Sequence, residues 1–236
     1  MKLLALDTGT ETMSLAVRSG DGLWQHSAAG GARASAALIP AVRDLMAQAG
    51  LKLGELDAIA FGCGPGSFTG LRTACSVAQG LAFGAGVPVL PVDSLMAVAE
   101  EARHAQGATR VLALLDARMD EIYAGHYVFG SGDAGSQWRR QEDFLLLQPE
   151  DLKAEAGWVL AGNVFEAYGH RLPTGLARVP AWPGAASILR LAPALLRAGE
   201  AIRPEQALPR YIRDKVARTT DEREADRAAK QVLAAT

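Results

Sequence analysis

The chain has 236 residues, 49% of them hydrophobic, and its 24 basic and 26 acidic residues leave a formal net charge of -2. That near balance excludes a free-standing nucleic-acid binder of the usual strongly basic kind, and the length allows one large domain or two modest ones. The two cysteines, Cys63 and Cys75, form neither a disulfide framework nor a metal set and suit a reducing compartment.

The N-terminal residues Lys2–Asp7 read as a short apolar strand. Residues Met13–Arg18 alternate as a half-buried strand does, Ser19–Gly22 reads as a hairpin turn, and Leu23–Ser27 returns. A helix is predicted over Ser35–Ala49, with Leu38, Ile39, Val42, Leu45 and Met46 on one face, Pro40 in its first turns and Gly50 as its stop. Then come a strand at Asp57–Phe61, a helix after Ser67, a strand at Val87–Val92 and a helix from Ser94 to about Ala105. The pattern restarts at Val111–Leu115, which ends in Asp116 as the first strand ends in Asp7. Strands at Glu121–Phe129 and from Trp138 follow, then a helix at Pro149–Ala156, a strand at Trp158–Ala161 and a helix at Ser187–Arg197. Two βββαβα halves predict an α/β fold of duplicated lobes with mixed sheets, spanning residues 1–106 and 107–216. Charges of both signs crowd the remaining residues, 217–236, which read as a solvated helix or a disordered end, with a docking tail as the alternative. No run of about 18 apolar residues suggests a membrane span, and the apolar N-terminal run is too short for a signal peptide, so a cytoplasmic protein is expected.

The most informative stretch is Gly62-Cys-Gly-Pro-Gly-Ser-Phe-Thr-Gly-Leu-Arg72. Glycines and a proline shape a turn with exposed backbone at a helix start, which suits either an anion or a closely packed partner. It fails the common nucleotide and hydrolase patterns: Thr69 stands where the dinucleotide motif needs glycine, Leu71 where the P-loop needs lysine, and Pro65 and Thr69 where the nucleophile elbow needs glycines. The turn Asp7-Thr8-Gly9-Thr10 offers a carboxylate and phosphate donors, or simply satisfies its own backbone. The repeated aspartate suggests that Asp7 and Asp116 face one another across a cleft, although Ala117-Arg118-Met119 makes a poor second phosphate hairpin. The four histidines show neither an i,i+4 pair nor His-Glu-x-x-His, so metal catalysis has no visible ligand set. The helix behind the loop carries Thr69, Arg72, Thr73, Ser76, Gln79 and Gly80 on its polar side, with Arg72 its one charge. A helix so poor in charge is expected to be covered by its own chain or by a partner.

Leu4-Ala-Leu-Asp-Thr-Gly-Thr10, the Gly62–Arg72 string, Ala78-Gln-Gly-Leu-Ala82, Pro91-Val-Asp-Ser-Leu95, Leu114-Leu-Asp-Ala-Arg118 and Pro209-Arg-Tyr-Ile-Arg213 together resemble the TsaB (YeaZ) family. The resemblance runs to about Val216. It implies an actin-like (hexokinase/Hsp70-type) fold and a noncatalytic role in forming N6-threonylcarbamoyladenosine at position 37 of tRNA. It implies a heterodimer with a catalytic homologue, TsaD, joined by the ATPase TsaE, a homodimer when alone, and tRNA met only within the complex. The metal-binding His-x-x-x-His of TsaD has no counterpart here. ATP or ADP and a divalent metal are expected through the partners, with none bound by this chain alone. The expected interface residues are Leu38, Val42, Phe68, Thr69, Leu71, Arg72, Ala74, Cys75, Ala78 and Gln79. Asp7, Thr8, Gly9, Thr10, Gly64, Gly66 and Ser67 are expected to be a vestigial phosphate loop. The alternative is a free-standing actin-like ATPase or phosphotransferase.

Overall fold

The structure is a computed structural model and describes residues 1–31, 34–132 and 135–213. The expected charged tail, 217–236, lies outside them. Strands β1 (Lys2–Asp7), β2 (Thr12–Ser19) and β3 (Gly22–Ala29) form an antiparallel meander. Helix α1 (Ala34–Gln48), β4 (Ala58–Gly64), α2 (Phe68–Ala85), β5 (Val89–Asp93) and α3 (Ser94–Gln106) follow. Strands β4 and β5 add in parallel, giving the order β3-β2-β1-β4-β5. The second half has β6 (Arg110–Arg118), β7 (Glu121–Gly132), β8 (Gly135–Arg140), β9 (Leu145–Leu147), β10 (Val159–Gly162), α4 (Phe165–Tyr168), β11 (Ala177–Pro180) and α5 (Ala185–Arg197). Its order, β11-β10-β6-β7-β8, repeats the first sheet read from the other edge, with β9 added beside β7. The duplicated α/β architecture is thus the one expected.

The second half departs from the first where α1 has no counterpart. The helix expected at Pro149–Ala156 is only a 3-10 turn over Pro149–Asp151. The apolar Leu152 drops into the core under the second sheet, and Gly157 adopts a positive φ before β10 begins. Strands β9 and β11 and the four-residue α4 were not anticipated, because three or four residues are too few to show a period. Pro40 sits in the second turn of α1, inside the helix.

Alternation along β1 sends Leu4 and Leu6 to one face and Leu3 and Ala5 to the other, and both faces are buried. The outer face carries α1 and α2, whose Leu38, Val42, Leu45, Ala74, Ala78 and Ala82 join that core. The inner face meets the second sheet through two shared helices. Helix α3 lies on β6, β7 and β10, while α5 lies on β1, β2, β4 and β5. Alanines at positions 97, 99, 102, 185 and 192 let these helices pack closely, and one hydrophobic core therefore runs from sheet to sheet. The halves meet at 106–110 along the chain, but their helices cross over.

Two buried carboxylates pin this shared layer. Asp93 caps α3, accepting from the N–H groups of Leu95 (2.9 Å) and Met96 (3.3 Å), and takes the hydroxyl of Tyr127 from β7. Glu100 accepts two bonds from Arg103 (2.8 and 2.9 Å), one from Trp138 Nε1 on β8 (2.9 Å) and one from Arg190 on α5 (3.2 Å). Burial pushes the Glu100 carboxyl up, but the Arg103 and Trp138 bonds with the charges of Arg103 and Arg190 outweigh it, leaving the pKa below the ordinary glutamate value. Replacing Glu100 by alanine strands these donors in the shared layer. It is expected to lower unfolding free energy by about 3 kcal/mol in urea titration; a loss below about 1 kcal/mol means the packed alanines alone hold the layer.

Candidate functional site

The Gly62–Arg72 loop closes β4 and opens α2, and the turn after β1 lies directly against it. A Cβ on Gly70 would stand 1.8 Å from the Thr8 carbonyl oxygen, one on Gly66 2.6 Å from that of Gly9, and one on Gly62 1.7 Å from Asp7 Oδ2. Gly66 and Gly70 are required because backbone crosses backbone there, and Gly62 because the buried Asp7 carboxyl fills the space of a side chain. Ser67 N–H donates to the Gly9 carbonyl (2.7 Å), and Thr8 Oγ1 donates to the Gly70 carbonyl (2.6 Å). The donors expected to receive phosphate are therefore partly committed to this crossing. Gly64 answers to another neighbour: at φ 118° its Cβ would lie 2.6 Å from the carbonyl oxygen of Arg210.

Between the lobes lies a cavity of about 440 Å³. Gly9, Thr10, Gly66 and Ser67 of the expected phosphate loop line it, facing Asp116, Ala117, Arg118 and Asn163 of the second lobe. Asp7 and Thr8 are buried instead, with relative exposures of 0% and 1%. The two aspartates thus do not face one another across open space. Asp7 Oδ1 accepts from Gly9 N–H (2.8 Å), while Oδ2 has no partner at hydrogen-bond geometry. Burial pushes its pKa up to about 7, against the pull of the Gly9 N–H and the nearby Ser94 hydroxyl. Asp116 is held by its own lobe: Arg118 pairs with it at 3.0 Å and Tyr168 donates to it at 3.2 Å. Among the described residues, no three His, Cys, Asp or Glu side chains gather where a metal could bind.

The expected interface residues divide sharply. Leu38, Val42, Ala74, Cys75 and Ala78 are buried against the chain's own first sheet, because the apolar stripe of each helix turns inward, and Leu71 is buried against Gly9 and Gly64 at the loop crossing. They support the helices from behind and offer a partner no surface. Thr69 and Arg72 are exposed, and Phe68 and Gln79 are half-buried. Ser76, Gly80 and Phe83 continue the outward row at spacings of three and four, and Phe83 is 68% exposed. That apolar residue escaped the sequence reading, although the same spacing points to it. On α1, Ile39 is half exposed, at 50%. Arg72 lies over the Phe68 ring at 3.8 Å and donates through Nε to the hydroxyl of Tyr211 at 2.8 Å.

Two outcomes follow from the crossing. Gly70→Ala is expected to cost at least about 2 kcal/mol of stability, since a backbone carbonyl cannot yield as a side chain does; a near-neutral thermal shift contradicts the packing. Asp7→Asn tests the buried carboxyl. Its folded pKa lies above the ordinary 3.8, so the native state binds a proton that the unfolded chain releases, and wild-type stability falls as pH rises from about 4 to about 7. The amide avoids that loss, so the variant should be more stable at pH 8 by on the order of 4 kcal/mol, a gain that vanishes toward pH 4. Parallel stability curves for the two proteins across that range would contradict the assignment.

With this geometry in hand, comparisons with known proteins agree. The family profile described as "TsaD: tRNA N6-adenosine threonylcarbamoyltransferase" matches residues 26–220. The "tRNA threonylcarbamoyladenosine biosynthesis protein TsaB" of Escherichia coli (strain K12) is 34% identical over 229 residues, covering 92% of this chain and 96% of that protein. The protein of the same name from Haemophilus influenzae is 39% identical over 154 residues, covering 64% of this chain and 65% of that one. Among solved structures, YeaZ from Pseudomonas aeruginosa superposes with a TM-score of 0.81 at 40% identity, covering 89% of this chain and 99% of its own. The duplicated sheets, the glycine crossing and these likenesses, which in the Escherichia coli relative span 92% of this chain, place it in the TsaB (YeaZ) family.

Proposed function

We propose that this protein is a noncatalytic subunit in the formation of N6-threonylcarbamoyladenosine at position 37 of tRNA. Its task is to bind and support the catalytic subunit TsaD, together with the ATPase TsaE. The observation that carries this reading is the outward face of α2. Thr69, Arg72, Ser76, Gly80 and Phe83 form a row with a single charge, and a solvent-facing helix ordinarily carries several. Small side chains at Ser76 and Gly80 permit a partner helix to approach closely, while Phe83 supplies an apolar anchor. With the exposed positions of α1, such a face can contribute half of an ordinary interface of about 1,600 Å². The same face serves a homodimer when the chain is alone. ATP or ADP and a divalent metal enter through the partners, and tRNA is met only in the complex. The work is cytoplasmic; no helix among the described residues is long and apolar enough to cross a membrane.

The cleft cavity, at about 440 Å³, favours a second reading, a free-standing ATPase of actin-like type. Against it stand the internal commitments of Thr8, Ser67 and Asp116.

Reconstituted tRNA modification decides between them. The reaction is expected to require this chain together with TsaD and TsaE, and the isolated chain is expected not to hydrolyse Mg·ATP. Ser76→Arg should weaken binding to TsaD by at least about 100-fold with the fold intact. Modification that proceeds without the chain, or turnover of ATP by the chain alone, overturns the proposal. Unchanged affinity of folded Ser76→Arg moves the docking face elsewhere.

A further inference from the structure

The segment after the 3-10 turn Pro204–Gln206 leaves the first lobe and crosses the mouth of the cleft. Its first anchor is on the first lobe: Arg210 N–H donates to the Cys63 carbonyl (2.7 Å), and Arg210's own carbonyl oxygen lies 2.6 Å from where a Cβ on Gly64 would stand. Tyr211 then packs on Phe68, with ring centroids 4.9 Å apart, and accepts from Arg72. Two residues later the second anchor is on the other lobe. Arg213 donates to the carbonyls of Ala117 (3.1 Å) and Arg118 (3.4 Å) and pairs with Glu121 at 2.6 Å. Four consecutive residues thus hold both lobes.

The landing point is itself unusual. Arg118, Met119 and Asp120 turn the chain from β6 to β7 with φ of 60°, 56° and 68°. Three successive non-glycine residues in the left-handed region cost about 1–2 kcal/mol each and persist only where surrounding contacts over-determine them. Arg213 supplies such contacts by gripping the two carbonyls at the start of that turn. A second tie spans the lobes elsewhere: Trp182 Nε1, before α5, donates to Glu11 Oε1, after β1, at 2.7 Å. Charged groups at the cleft, Asp116, Arg118, Arg213 and Glu11, are engaged within the chain.

We propose that Arg210–Arg213 is an internal clamp that fixes the angle between the two lobes by protein contacts alone, in the position where a ligand would otherwise bridge them. Arg213 is its key on the second lobe, and Tyr211 with the Arg210 amide its key on the first.

The full-length chain carrying spin labels on Ala47→Cys, exposed on α1, and Ala156→Cys, exposed before β10, reports the interlobe distance by pulsed electron spin resonance. The native Cys63 and Cys75 are buried. The parent should give one narrow distance. Arg213→Ala, added to it, should broaden that distribution, and hydrogen exchange at the Arg210 amide should accelerate by about tenfold or more. Tyr211→Ala should do the same from the other anchor. Folded variants that keep the parent's distance distribution and Arg210 protection overturn the clamp and leave lobe geometry to the shared helices. Should Arg213→Ala fail to fold, Glu121→Gln, which removes the paired charge while keeping the shape, decides by the same two readouts.

Discussion

Helices α3 and α5 belong to two sheets at once, and the rest of the molecule follows from that sharing. Each lies on the sheet of the other half, so neither half can bury its inner face without its partner. Alanines make the layer thin, and Asp93 and Glu100 make it specific, because a buried carboxylate with three or four donors tolerates only one arrangement of the helices around it. The cleft is the space left where the sheets diverge beyond this layer.

At the cleft, Asp7 and Thr8 have turned inward, while Thr10 and Ser67 line the cavity. The turn after β1 uses Thr8 and the Gly9 carbonyl to hold the start of α2. Asp7 sits beneath the surface as a carboxyl that burial pushes up to about 7, and Asp116 is paired with Arg118. A cation or phosphate site needs exposed, uncommitted oxygens and N–H groups. The same commitments stiffen the base of α2, and a stiff helix presents a surface at a smaller entropic cost on binding.

Much of this was legible beforehand. The restart of the pattern at Asp116, the repeated βββαβα order along the chain and the special character of Gly62–Arg72 follow from periodicity and turn chemistry, which are local. The outward row on α2 was legible as well, down to Gly80. Which side of each helix served which purpose was not. An apolar stripe looks the same whether it meets its own sheet or a partner, so Leu38, Val42, Leu71, Ala74, Cys75 and Ala78 read as interface and proved to be core.

By itself, then, the sequence determined the order of elements in the first half, the duplication and the place where backbone packs without side chains. Tertiary structure alone decided what those glycines touch, that Asp7 is buried while Asp116 is paired, and that Arg210–Arg213 bridges the lobes. The contacts responsible join residues 62 positions apart at Thr8 and Gly70, 96 apart at Ala117 and Arg213, and 139 apart at Arg72 and Tyr211. Hydrophobic period and turn propensity act over one or two turns of chain, so they carry no information about pairings at that range; only the closing of both sheets around α3 and α5 brings these groups together.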